Sequence, residues 1–453
     1  MLPSRTAEIS ALNTSFHQSD NELILLYGHR HVGMGDLLLE FSSDKEVFSF
    51  VCGNVTPEYE LTSFLDTAVQ KGYLKQGNLT SFEELWEKLF SDSDRQDKKK
   101  VLLIQHVDLS VKVSNRLLES LISLKNSEYF VQIIMCSDSI GFVENSFVSR
   151  AGALSLSIDS FLKIYPLNFA DLRAYFYNST PEDALLIYSV LGGYSDLWKQ
   201  FDRNLSFREN VIKFLLPEHT FLREEVRLLL LEELRELSVY ETLLSLMAKG
   251  NCKLNDLFLR TGFVRSKISV YLKNLMELEY VKKDYSENTP GMEQSKKGVY
   301  CISHPLLRFY YTFLKEYDSF TGTYEDYYRD EIATRLRKYA SDSLEEVALW
   351  MLRKKEEDGT LSFDYTSMGR FVGKAGTIPA LAVNDAGEAV VVFSTWLHPI
   401  MTYEDYEWSL FLCKEAGIRP VFIYLISDKG FDDKILLESR IKGTVRPLTL
   451  NEI

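Results

Sequence analysis

The chain is poor in the residues that staple or embed a protein. Of 453 residues only five are cysteine, Cys52, Cys136, Cys252, Cys301 and Cys413, with no C-x-x-C pair and no regular spacing. That argues against a disulfide framework and against a zinc site. No apolar run approaches the roughly 18 to 20 residues that cross a bilayer, so no membrane role is expected. The opening stretch MLPSRTAEISALNTSFHQSD has no basic segment leading into an apolar block. It does not read as a secretory leader, and the cytoplasm is the expected location. Positive charge is scarce as well, with 51 Lys and Arg against 65 Asp and Glu and a net charge of −14. Nucleic-acid binding by the whole surface is disfavoured, which leaves room only for a local basic patch. What remains is ordinary for a soluble globular protein: 45% hydrophobic and 26% charged residues. The length suggests about three domains.

From Asn21 to Ile158 apolar strands alternate with helical segments, the pattern of a parallel α/β sheet. The predicted strands are Glu22 to Gly28, Val47 to Gly53, Lys100 to Asp108 and Phe130 to Ser139, with ALSLSI (Ala153 to Ile158) as the last. Helices are expected over Ser63 to Lys71 and Phe82 to Phe90, and SDSDRQDKKK reads as a solvated charged linker. After Tyr165-Pro166 the chain turns mostly helical (DLRAYF, GGYSDLWKQF, EEVRLLLLEELREL) and reads as a small lid on the first domain.

The first strand runs into YGHRHVGMGDLLLEF, and here a second absence matters. Gly28 and Gly33 have the spacing of the phosphate-binding loop G-x-x-x-x-G-K-[ST], and the loop comprises Gly28, His29, Arg30, His31, Val32, Gly33, Met34 and Gly35. The two residues that hold a nucleotide are missing from it. In such a loop the lysine reaches the β and γ phosphates and the hydroxyl ligates magnesium. A thioether at Met34 and a hydrogen at Gly35 do neither.

From Ser238 to about Ile302 the pattern predicts a winged helix-turn-helix: VYETLLSLMAKG, then KLNDLFLRTG ending at Gly262, then RSKISVYLKNLMELEYV, followed by two strand-like ends around a Pro-Gly loop. Val239 to Ile302 carries ten Lys and Arg against seven Asp and Glu, a local +3 in an acidic chain. Arg265, Ser266 and Lys267 stand at the start of the third helix, where cations meet phosphates and base edges, with Lys273, Lys296 and Lys297 as further nucleic-acid candidates. Both DNA contact and an internal or partner-binding role stay open for this region. Beyond Tyr310 a tyrosine-rich helical stretch (Tyr310, Tyr311, Tyr317, Tyr324, Tyr327, Tyr328), read as core and interface, leads into a helix, hairpin, helix, strand order with a small mixed sheet.

Taken together these segments resemble a family of prokaryotic P-loop ATPases of the AAA and STAND type, with an archaeal-type ATPase domain, a winged helix and a C-terminal domain like restriction nucleases. Ser4-Arg5-Thr6 with Glu8 is similar to the family's opening Gly-Arg-Glu motif, and YGHRHVGMGDLLLEF resembles its YGRRRVGKTELLLEF. SFVSRAGALSLSIDSFLKIYPLNFADLRAYF resembles the segment running into its LKPLSF signature, and SKISVYLKNLMELEYVKKD its recognition region. The resemblance implies four parts: 1–165 an ATPase-like domain, 166–237 a helical lid, 238–305 the winged helix, and 306–453 a helical linker with a restriction-nuclease-like domain.

Against that family the chemical residues have lapsed. The lysine and hydroxyl fall on Met34 and Gly35, the acidic pair after the buried strand on Gln105 and His106, the following Gly-Ser near Ser137 and Asp138, and the sensor arginine on Asp196. Asp108 lies three residues beyond Gln105, and strand alternation points it to the other face. Arg150 stays open as a phosphate contact or a surface arginine. In the nuclease-like part Glu345 or Glu346 supplies a first acid, but the Asp position falls on Pro379 and the Glu-x-Lys position on Phe393-Ser394-Thr395, and proline, phenylalanine and threonine cannot bind magnesium or activate water in that geometry. Asp385 reads as turn chemistry. No catalytic residue, metal or cofactor is expected, with residual weak ATP binding left open. The expected role is a non-hydrolysing scaffold or regulator with a protein partner. A nucleotide binder with an altered loop and a winged-helix DNA-binding regulator are the alternatives.

Overall fold

The computed structural model describes residues 5–75, 79–91, 99–231, 234–284, 298–317, 320–396 and 398–453. It divides into two compact units, one made of residues 2–166 with 194–196, the other of 167–193 with 197–453. Ser4, Lys296, Lys297 and the Pro-Gly loop lie outside the described residues.

The first unit is built on β1 (Glu22–Gly28), β2 (Val47–Val51), β3 (Lys100–Gln105), β4 (Val131–Ser137) and β5 (Ser160–Ile164), ordered β2-β3-β4-β1-β5. Every pairing is parallel, so all carboxyl ends reach one edge. β4 is buried along its whole length, which is why its sequence, VQIIMCS, is mostly apolar with no in–out alternation. Helices α1 (Thr6–Phe16), α2 (Met34–Phe41), α3 (Pro57–Gln70), α4 (Phe82–Phe90), α5 (Val107–Val113) and α6 (Arg116–Lys125) accompany the sheet. Phe50, Phe64, Phe82 and Trp86 pack into one aromatic core, with Phe50 stacked on Phe64 at 4.8 Å.

Two readings need correction here. ALSLSI is no strand: Gly152–Ser157 is a 3-10 helix, and the edge strand is the next segment, SFLKI. Both are short apolar runs, and only pairing with β1 decides between them. The linker reading also fails at its end. Lys99 is buried and donates to the carbonyls of Gln18 (3.2 Å) and Asp20 (2.6 Å), beyond the end of α1, while Lys100 opens β3. Burial holds the Lys99 ammonium below its ordinary pKa, against the opposing charges of Glu22 and Asp20.

In the second unit, helices Phe169–Tyr175, Pro181–Leu191, Phe207–Phe214 and Phe221–Leu231 come first. Capping boxes of Asn168 with Asp171 and Ser206 with Glu209 fix two of their starts. Leu237–Ala248, Leu254–Thr261 and Arg265–Glu277 follow, then an antiparallel pair, β6 (Val281–Asp284) with β7 (Val299–Ile302). Gly262, at φ +68°, ends the second of these helices. Tyr311, Tyr327 and Tyr328 of the tyrosine-rich stretch are buried.

The chain closes on a mixed sheet ordered β14-β12-β10-β9-β8. β8 (Ser367–Val372), β9 (Thr377–Val383) and β10 (Glu388–Thr395) are antiparallel, while β12 (Arg419–Ser427) and β14 (Val445–Thr449) run parallel to β10. The short strands β11 (Ile400–Met401) and β13 (Gly430–Phe431) pair separately. β8 is not legible in the sequence because Gly369 and Arg370 interrupt SMGRFV and its apolar residues do not alternate. Helix Ala333–Glu357 packs on β9 and β10, and Tyr403–Glu415 and Asp433–Lys442 are the crossovers between the parallel strands.

Candidate phosphate loop and its surroundings

The loop forms where its glycines require it. A Cβ on Gly28 would stand 2.7 Å from the Ile164 carbonyl oxygen of β5, so only glycine lets the strand end this close to its neighbour. Gly33 sits at φ +89°, and a Cβ there would collide with the Ser195 hydroxyl. His31 also has positive φ, at +69°. The chain then enters α2 with no side chain capping its first turn, the arrangement that presents backbone N–H groups to an anion.

The loop's carbonyls are held from outside. Arg5 and the Ser195 hydroxyl (3.2 Å) both donate to Val32 O, and the Asp196 backbone N–H donates to His31 O at 3.1 Å. The ring of Tyr194 meets His29 edge-on at 5.7 Å. The turn Tyr194–Asp196 therefore supports the loop through its backbone and Ser195. Arg5, singled out by the opening motif, is buried and also pairs with Glu8 at 3.0 Å.

The side chains do not fit a magnesium nucleotide. Met34 is buried at the first position of α2, where the lysine would stand, and Gly35 faces open space where the hydroxyl would stand. At the end of β3 the Gln105 amide reaches toward Ser49 Oγ (3.5 Å), and His106, at φ +54°, places Nδ1 3.2 Å from Asp138 Oδ2. Burial raises the Asp138 carboxyl above its ordinary value and Asp108 adds to the rise, while His106, Arg30 and His31 oppose it. Arg30 and His31 of the loop thus share their electrostatic field with the carboxylate at the end of β4.

Asp108 corrects the expectation drawn from strand alternation. β3 ends at Gln105, the chain reverses through the left-handed His106, and Asp108 lies in α5. There it is buried, accepting from Ser137 Oγ at 3.0 Å and from Lys112 Nζ at 3.0 Å. It faces the end of β4 after all, and its oxygens are already engaged by a hydroxyl and an ammonium. Arg150 donates to the Lys112 carbonyl at 3.0 Å, a contact that braces the helices. Glu60, absent from the sequence reading, is buried beside these groups and accepts from Ser110 Oγ at 2.6 Å, and burial raises its carboxyl. Nothing in the local pattern of α3 marks it. Among the described residues no group of three or more His, Cys, Asp or Glu is placed to hold a metal ion.

The positions expected to correspond to nuclease residues lie around β9. Pro379 sits in β9 between two strands, and both ladders break beside it. Pairing with β10 runs only from Val383 to Ala380, and the register with β8 shifts between Gly369 and Phe371. A residue without an N–H forces such an irregularity. At the shift, Arg370 turns to Glu345 at 2.7 Å and Asp284 at 3.5 Å, so a guanidinium neutralises the acid expected to serve a metal. Glu346 pairs with Lys282 of β6 at 2.9 Å.

Of the nucleic-acid candidates, Arg265, Ser266, Lys267 and Lys273 all lie on helix Arg265–Glu277, with Arg265, Ser266 and Lys273 exposed. Arg265 donates to Asn255 Oδ1 (2.7 Å) and lies over the Phe258 ring. Lys267 lies over Phe263 and Tyr271 with Glu236 at 3.7 Å, and Lys273 pairs with Glu277 at 3.3 Å.

Residues 310–396 match the family DUF234, described as archaeal and bacterial proteins of unknown function. A relative from Methanocaldococcus jannaschii, the uncharacterized protein MJECL04, is 26% identical over 396 residues, 85% of either chain. Among solved structures, the Walker-type ATPase PABY2304 of Pyrococcus abyssi is similar with a TM-score of 0.50 and 15% identity, over 68% of this chain and 95% of that one. The ORC2 protein of Aeropyrum pernix has a TM-score of 0.46 and 14% identity, over 70% and 95%. No helix among the described residues is long and apolar enough to cross a membrane. With its five-stranded parallel sheet and glycine loop at the carboxyl edge, the chain is P-loop ATPase-like in fold.

Proposed function

We propose that this protein keeps the ATPase fold and acts by binding, as a non-hydrolysing scaffold or regulator. One observation carries the reading: the polar groups that surround the phosphate loop are engaged with one another, and a buried thioether stands at the lysine position. Met34 is buried, Asp108 is satisfied by Ser137 and Lys112, and Asp138 faces His106. Each charge-assisted contact missing from the loop removes roughly 1.5 to 3 kcal/mol of affinity. Millimolar magnesium ATP is accordingly expected to leave the melting temperature unchanged. A rise of several degrees by scanning calorimetry would overturn this, since a ligand at about 100 times its Kd stabilises the folded state by roughly 2.7 kcal/mol.

A second reading, DNA contact through helix Arg265–Glu277, is supported by the exposed Arg265, Ser266 and Lys273. Against it, β6 of the wing-like hairpin is engaged by Glu346 and Arg370, which favours a packing role. The partners on the recognition-type helix are surface contacts worth little and yield readily to phosphate. If this helix binds a duplex, fluorescence anisotropy will show affinity falling with salt. Charge reversal at Arg265 and Lys267 will then flatten the log–log slope by about two units. Binding that is absent or indifferent to salt removes the reading.

A further inference from the structure

The two crossover helices of the C-terminal sheet carry apolar residues on their outer faces. In Tyr403–Glu415, Tyr406, Ser409, Leu412 and Cys413 are buried. The opposite stripe, at i, i+4, i+7 and i+11, is Glu404, Trp408, Phe411 and Glu415. Trp408 is 53% exposed and Phe411 41%, and their rings stack at 5.1 Å. In Asp433–Lys442, Ile435 is buried while Leu437 is 56% exposed and Ile441 72%. Because β10 to β12 and β12 to β14 step the same way across the sheet, right-handed crossovers put both helices on one face. They pack side by side, with Lys434 Nζ 5.3 Å from the centre of the Tyr403 ring.

Their charges are of opposite sign. Around Trp408 and Phe411 stand exposed Glu404, Glu407 and Glu415 with the single cation Lys414, while around Leu437 and Ile441 stand exposed Lys434, Arg440 and Lys442 with Asp433. Lys442 is in part committed to Glu438 of its own helix, at 2.6 Å. An acidic aromatic stripe beside a basic aliphatic one is self-complementary under two-fold symmetry. An axis running between the helices lays each stripe on the opposite stripe of another copy, the isologous geometry of a homodimer. We propose that this face is the interface with a second copy of the chain, the Tyr403–Glu415 helix of either copy seating on the Asp433–Lys442 helix of the other. The exposed apolar side chains supply the buried centre and the flanking charges fix which helix meets which.

Sedimentation velocity of the intact protein at micromolar concentration is expected to give a species of twice the 52.3 kDa chain mass. Glu404→Lys with Glu407→Lys in one variant, and Lys434→Glu with Arg440→Glu in another, each set like charges against each other and should sediment as monomers. Mixed one to one, they should re-form the dimer, because one contact then carries both reversals and the other neither. Trp408→Ala, outside the core, is the separate probe and should lose the dimer while its far-UV circular dichroism matches that of the wild type. A monomeric wild type, a dimer that survives Trp408→Ala and both reversals, or a mixture that stays monomeric would each overturn the proposal. Capture of a basic helical peptide by monomeric wild type would assign the face to a different partner and count against it equally.

Discussion

Introducing Met34→Lys together with Gly35→Thr is expected to raise the affinity for magnesium ATP by about two orders of magnitude, measured by titration calorimetry. The expectation follows from what the loop has kept. Gly28 and Gly33 hold the backbone, Arg5 and Ser195 fix the Val32 carbonyl, and α2 begins uncapped, so the N–H groups that cradle phosphate remain presented. A Cβ added at Gly35 would meet nothing within 4 Å, so threonine enters without a clash. A lysine at position 34 has to leave the buried place of the thioether, and the first turn of the helix is where an extended ammonium finds phosphate. Two restored contacts at roughly 1.5 to 3 kcal/mol each exceed the gain stated, which allows for relocating that side chain. Hydrolysis should stay undetectable, because Gln105 and His106 still replace the acids. Affinity unchanged by the double substitution would mean that the backbone no longer presents its donors, and the retained shape would then have some other cause.

Trp86→Ala should destabilise the first unit by roughly 3 to 5 kcal/mol, the range for deleting a large buried aromatic. Trp86 is 2% exposed, packs near Phe50 at 5.9 Å and Phe82 at 6.2 Å, and donates its indole N–H to Ser120 Oγ at 3.0 Å. Ser120 keeps its own donation to Leu117 O at 2.7 Å, so the loss is mainly one of packing, with no orphaned hydroxyl proton. At about 2 to 4 °C per kcal/mol for a unit of this size, the transition should fall by about 10 °C in scanning calorimetry. A change below about 1 kcal/mol would show that the aromatic core can collapse onto the vacancy and is not rigid enough by itself to hold the loop in shape.

Much of this can be read before any coordinates. Glycine spacing and the strand leading into it locate the loop, because turn geometry is a local property of a few residues. The helix order from Leu237 to Glu277 and the mixed C-terminal sheet follow from periodicity. The misses share a cause. Alternation puts Asp108 on the wrong face because β3 stops at Gln105, and a strand's end depends on how far its neighbours run. Lys99 reads as solvated because its acceptors lie about eighty residues earlier. Arg370 cannot be assigned to Glu345 from spacing, since the irregularity opposite Pro379 is what turns it there.

The sequence by itself determined which groups are absent. By the resemblance, Met34, Gly35, Gln105 and His106 stand where the family carries a lysine, a hydroxyl and two acids, and no folding restores a missing atom. What only the tertiary structure decided is what the remaining groups do. Asp108 is satisfied by Ser137, Asp138 faces His106, Glu345 meets Arg370, and the loop's carbonyls are held by Arg5 and a turn more than 160 residues later. Those pairings join residues far apart in the chain, and long-range packing sets them where local pattern cannot.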